Sequence, residues 1–137
     1  MKRLIILFFF TLSCNNHVNI DFINGYWEIV SVSKNNEFIK EYPFSNAVDF
    51  FMIDSLNNGF RKKIKPKIDG SFEITLHKIP ISIKNKNNSY EISYYSAGNQ
   101  YVETIYKLDQ NRLVIKNSEG IIFSYKRFEK YFDDEKR

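Results

Sequence analysis

From Gly25 onward, apolar and polar residues alternate in short runs. Phe72, Ile74 and Leu76 share one parity, and Glu73, Thr75 and His77 the other. Tyr90, Ile92 and Tyr94 oppose Glu91, Ser93 and Tyr95. Val102, Thr104, Tyr106 and Leu108 oppose Tyr101, Glu103, Ile105 and Lys107. Leu113 and Ile115 continue the scheme, and Ile121, Phe123 and Tyr125 oppose Ile122, Ser124 and Lys126. A period of two puts one set in a core and the other in water. Turn-forming clusters separate the runs: Asn35-Asn36, Asn57-Asn58-Gly59, Asp69-Gly70, 85–88, Gly98-Asn99, Asp109-Gln110-Asn111 and 117–120. Such residues suit two-residue hairpins, because both central positions of a type I′ turn need positive φ, which Asn and Gly tolerate. The pattern predicts an all-β fold. It is an antiparallel meander of about eight or nine strands, closed as a barrel or rolled as a half-barrel. Only residues 128–137 offer one or two helical turns, or else a frayed end.

The N-terminus follows a different logic. Lys2 and Arg3 precede the apolar run Leu4 to Phe10, then Thr11-Leu12-Ser13-Cys14. A basic start, a short apolar stretch and a small residue before a cleavage point form the layout of a secretory signal peptide. The run is far short of the roughly 20 residues needed to span a bilayer. Ser13-Cys14 resembles the end of a bacterial lipobox, with Thr11 at the position usually held by Leu. That resemblance makes Cys14 the expected site of lipid attachment and the membrane an expected partner. The expected organisation is a signal peptide at 1–13, a lipidated Cys and tether at 14–24, a barrel domain at 25–132 and a charged tail at 133–137. Removing Lys2 and Arg3 leaves 18 basic against 16 acidic residues, so the formal charge falls from +4 to +2. This balance does not point to nucleic acid, and one Cys excludes a disulfide framework within the chain.

Several short segments together carry a family resemblance. Gly25-Tyr26-Trp27 opens the first strand. Ile105-Tyr106-Lys107-Leu108, Asn111-Arg112-Leu113-Val114-Ile115 and Phe123-Ser124-Tyr125-Lys126-Arg127 stand near the other end. The set resembles the bacterial lipocalin-like lipoproteins, whose pattern is Gly-x-Trp in the first strand, a Leu-x-Leu/Ile strand and a last strand ending Tyr-x-Arg. The Thr-Asp-Tyr motif of the wider lipocalin superfamily is absent. The resemblance implies a structural role for Gly25, Trp27 and Arg127: the Trp plugs one end of the barrel and the Arg lies over it. It also implies a bacterial envelope protein. Asn15 stands where Asp often retains lipoproteins at the inner membrane, so the expected location is the outer membrane, on its periplasmic face.

Candidate chemistry is sparse. His17 lies in the tether and His77 has outward parity beside Glu73 and Thr75. No nucleophile elbow or His-Glu-x-x-His spacing occurs, so neither a catalytic triad nor a metal site is expected. Asp133-Asp134-Glu135 reads as a solvated tail. No cofactor is expected, and the chain is read as a non-enzyme. Two features remain. On a strand, Arg61, Lys63, Lys65 and Lys67 fall on one face, either as a stripe for anionic lipid or acidic glycan or as the charged edge that keeps a strand from pairing further. Phe72, Tyr90, Tyr94, Tyr106, Phe123 and Tyr125 share the inward parity and are the candidate ligand-lining residues. A barrel of eight strands either fills with such side chains or holds one small ligand. The leading functional reading is a small apolar or amphipathic molecule bound in the barrel. The alternative is a non-enzymatic interaction or structural lipoprotein acting through its outer surface.

Overall fold

Three of the polar clusters become tight hairpins in the computed structural model, which describes residues 18–129 apart from the side chains of residues 74–76. Asn35-Asn36, Asn87-Asn88 and Ala97-Gly98 each hold two successive positive φ angles. They join β1 (Gly25–Lys34) to β2 (Glu37–Glu41), β5 (Phe72–Lys86) to β6 (Ser89–Ser96), and β6 to β7 (Asn99–Leu108). The remaining strands are β3 (Val48–Ile53), β4 (Asn58–Pro66), β8 (Arg112–Asn117) and β9 (Ile121–Arg127). A short 3-10 turn, Ile20–Ile23, precedes β1. The signal segment, Cys14, His17 and the tail at 133–137 lie outside the described residues. Phe128 and Glu129, the described start of the expected C-terminal turn, are not helical.

All neighbouring strands are antiparallel, in the order β2-β1-β3-β4-β5-β6-β7-β8-β9, and β1 also pairs with β9. That last pairing closes eight strands into a barrel, so the closed form of the expected meander is the one adopted. β1 is bordered by β9 along most of its length. On its other side β3 takes Gly25 to Glu28 and β2 takes Ser31 to Lys34. β2 is thus an appended ribbon, and all five of its residues are exposed.

The interior is apolar over most of its depth. Ile81, Ile83, Ile92, Ile105, Leu113 and Ile115 form its centre with Trp27 and Phe51. The turn Ile20–Ile23 closes one end. Ile23 and Trp27 are both fully buried, and Trp27 Nε1 donates to the Ile23 carbonyl at 2.8 Å. Arg127 covers the same end, its guanidinium 3.8 Å from the Trp27 ring. It donates to the carbonyls of Phe22, Asn24 and Gln110 at 2.7, 2.8 and 2.9 Å. Gly25 makes room for this arrangement: its φ is +115°, and a Cβ there would meet Arg127 Nη1 at 2.9 Å. Gly59 is a second forced glycine, for a Cβ would lie 1.8 Å from the Met52 carbonyl oxygen. Gly59→Ala is expected to cost about 1–3 kcal/mol through overpacking against fixed backbone, read as a lower urea midpoint.

One β-bulge and one change in the face that carries the apolar residues alter the parity read from the sequence. In β7 the register with β8 shifts between Ile105 and Lys107. Ile105 and Leu108 are therefore both buried, and Tyr106 turns out to solvent, 60% exposed. In β5 the apolar parity itself changes sides. Ile79, Ile81 and Ile83 belong to the interior, and Lys78, Pro80 and Lys84 are exposed. Phe72 accordingly packs in a separate cluster with Tyr26, Val48, Ile64 and Phe128, its ring stacked on Tyr26 at 5.2 Å.

Candidate functional site

A charged side chain only 14% exposed points into this mostly apolar barrel, and it comes from the strand that the sequence pattern placed on the surface. β4 is no edge: it pairs with β3 through Val48–Ile64 and Phe51–Arg61, and with β5 through Arg61–Ile79. The Arg61 partner Phe51 is fully buried, so the register carries Arg61 inward with it. Lys63, on the same parity, pairs with Asp49 and has a side chain 67% exposed, while Lys65 and Lys67 are exposed on the hairpin beyond. The expected stripe is thus divided between the barrel interior, its rim and solvent. Past Ile64, Lys65 and Pro66 pair with β5 alone.

Arg61 is satisfied by four oxygens. Nη2 donates to Asp49 Oδ2 and to the Tyr125 hydroxyl, each at 2.9 Å. Nη1 donates to the Tyr94 hydroxyl at 3.0 Å and lies 3.4 Å from Glu103 Oε2. The guanidinium also sits 5.0 Å from the Phe51 ring centre. Asp49 and Glu103 are both buried. Asp49 Oδ1 has no hydrogen-bond donor among the described residues and faces Lys63 Nζ at 3.8 Å. Burial works against the Arg61 charge, yet the Tyr94 and Tyr125 hydroxyls and the Asp49 and Glu103 carboxylates outweigh it, and its pKa stands well above the ordinary value. Burial, against the pull of Arg61, raises both the Tyr94 and the Tyr125 hydroxyls above theirs.

These shifts carry a consequence at high pH. A tyrosine whose folded pKa exceeds its unfolded value of about 10 contributes stability that is complete below that value and lost as pH rises through the folded pKa. Stability is expected to fall above roughly pH 10. In an ultraviolet titration of the nine tyrosines, Tyr94 and Tyr125 should ionise only as the barrel unfolds. Ionisation of every tyrosine at its ordinary pKa with the fold intact would contradict this burial.

Above the cluster lies a cleft of about 460 Å³ lined by Arg61, Lys62, Lys63, His77, Ile79, Tyr101 and Glu103. Its volume falls in the usual range for small-molecule sites, roughly 300–1,000 Å³. Tyr101 lies flat on Tyr94, ring centres 4.7 Å apart and planes 7° from parallel, and is itself 42% exposed. The cleft therefore offers a ring and an isoleucine beside charges of both signs. Burial raises the Tyr101 hydroxyl above its ordinary pKa, with Arg61 opposing.

The six aromatics expected to line a ligand site separate. Tyr94 and Tyr125 are buried and hold Arg61; Tyr90 and Phe123 are half-buried against the core. Phe72 belongs to the outer cluster, and Tyr106 stands outside, where Lys116 Nζ donates to its hydroxyl at 3.2 Å. His77, expected on the outer face, borders the cleft. Asp49, Glu103 and Tyr101 were missed. The available signal was a carboxylate within an apolar run: Asp49 stands in Val48-Asp49-Phe50-Phe51-Met52-Ile53, and Glu103 lies two positions from Ile105. Among the described residues, no group of three or more His, Cys, Asp or Glu is placed to hold a metal ion, and no helix is long and apolar enough to cross a membrane.

A family model described as a lipocalin-like domain matches residues 23–115, from the buried Ile23 of the end-closing turn to Ile115 in β8. No curated protein and no solved structure matches the chain.

Proposed function

The chain belongs to the lipocalin-like domain family, and from that premise we propose that it is a non-catalytic binding protein that takes a small amphipathic molecule in the cleft above Arg61. The carrying observation is the composition of that cleft: the exposed face of Tyr101 and the side chain of Ile79 stand beside Arg61, Lys63 and Glu103. The apolar part of the ligand lies against Tyr101 and Ile79. Its polar end meets the charged groups, of which Arg61 and Glu103 are already held in place by the surrounding barrel. Such pre-organisation limits the ordering cost of binding. The isoleucine-rich interior below supports binding at the mouth and not in the depth of the barrel.

The sequence adds a location to this reading. Lys2, Arg3, the apolar run and Ser13-Cys14 support cleavage and acylation at Cys14. The protein would then be a bacterial envelope lipoprotein held at the outer membrane, on its periplasmic face. Two or more acyl chains give stable anchoring where one does not. Cys14→Ser is expected to abolish incorporation of a labelled fatty acid and to release the protein from the membrane fraction; undiminished labelling would refute acylation at this residue.

Binding is tested with anilinonaphthalene sulfonate, an aromatic anion that matches the ring and the cations of the cleft. The expected result is saturable binding at one site, weakened about tenfold, or about 1.4 kcal/mol, by Tyr101→Ala and by Lys63→Glu. Binding unaffected by both substitutions would remove the cleft from the account.

A further inference from the structure

The outer face of β1, β3 and β4 carries a row of aromatic rings. Tyr26 and Phe50 lie 4.7 Å apart, and Phe50 and Phe60 6.0 Å apart, between ring centres. Lys62 Nζ stands 5.2 Å from Phe50 and 5.9 Å from Phe60, and Lys78 Nζ 4.6 Å from Phe60. Lys62 and Lys78 are direct cross-strand partners, a placement in which like charges repel. Among the described residues neither is ion-paired with a carboxylate. Met52, the cross-strand partner of Phe60, is 49% exposed beside them. Two unneutralised ammonium groups thus sit on stems that cross half-buried rings, next to an exposed thioether.

We propose that this face docks on an anionic lipid surface. The ammonium groups reach the headgroup phosphates, which relieves their mutual repulsion, while Met52 and the rings lie at the interfacial level. An acidic polysaccharide would neutralise the lysines and leave Met52 in water; an anionic bilayer serves both kinds of group. The inference does not depend on ligand binding in the cleft or on acylation of Cys14. If Cys14 is acylated, the face supplies the second signal that lipid-anchored proteins use to stay on a membrane.

The test is co-sedimentation of the chain from Val18 onward, which contains the whole closed barrel, with phosphatidylcholine vesicles containing about one-third phosphatidylglycerol. Pure phosphatidylcholine vesicles are the comparison. Binding is expected to the anionic vesicles, at least about tenfold stronger than to the neutral ones and falling as salt is added. Lys62→Glu with Lys78→Glu should reduce it about tenfold or more, and Met52→Asp several-fold, with unchanged Trp27 emission as the check on folding. Arg112→Glu with Lys116→Glu makes the same charge change on β8, with three strands between it and β4 in either direction round the barrel, and should leave binding intact. Three results would each overturn the proposal: no binding to the anionic vesicles, equal loss in the β8 variant, or binding to dextran sulfate alone.

Discussion

Arg61→Leu is expected to lose about 3–5 kcal/mol of stability at neutral pH, on the order of 15 °C in Tm for a domain of this size. The side chain is held by Asp49, Glu103, Tyr94 and Tyr125. Its removal leaves two buried carboxylates with no guanidinium between them, and an unpaired buried charge costs far more than a complete pair contributes. Urea unfolding of parent and variant at neutral pH reads the loss. Adding Asp49→Val and Glu103→Leu to Arg61→Leu should restore most of the loss, because an apolar set of similar volume replaces a buried ionic one at little cost. A variant as stable as the parent at neutral pH would show that the cluster is not buried as described.

Trp27→Ala is the second large effect, with an expected cost of about 3–5 kcal/mol for truncating a large buried ring. The ring fills the closed end, anchors the Ile20–Ile23 turn through its indole N–H and supports the Arg127 guanidinium. Stacking of that kind contributes about 0.5–2 kcal/mol. Arg127→Ala should therefore cost much less once Trp27 is already Ala, and a double-mutant cycle is expected to give a coupling of roughly 0.5–3 kcal/mol. Strict additivity of the two losses would contradict a shared cap.

The closed end was legible in the sequence, because the resemblance carried by Gly25-Tyr26-Trp27 and Tyr125-Lys126-Arg127 already implied a Trp plug with an Arg over it. The strands and their turns were legible for a related reason: Asn35-Asn36 and Asn87-Asn88 specify hairpins through backbone preference alone. The site was not. Alternation fixes facing only while the register is unbroken, and the bulge after Ile105 turned Tyr106 outward and left Glu103 and Ile105 inside. Along β5 the apolar residues change face, from Phe72 outside to Ile79, Ile81 and Ile83 inside, since a second cluster around Phe128 and Tyr26 covers the first part of the strand. Arg61 was assigned to water by its charge. Its partner Asp49 stands on the adjoining strand β3, but Glu103 is 42 residues distant on β7, and only barrel closure brings it to Arg61. Charge pairing at that separation leaves no periodic trace.

The binding claim meets its most direct test in native mass spectrometry of the protein recovered from its own cells without denaturation. A small molecule retained at one per chain, released on unfolding and lost from the Tyr101→Ala protein, is the expected result, and its mass would name the ligand class. A bare chain mass, with parent and Tyr101→Ala proteins indistinguishable, would contradict ligand binding in the cleft above Arg61.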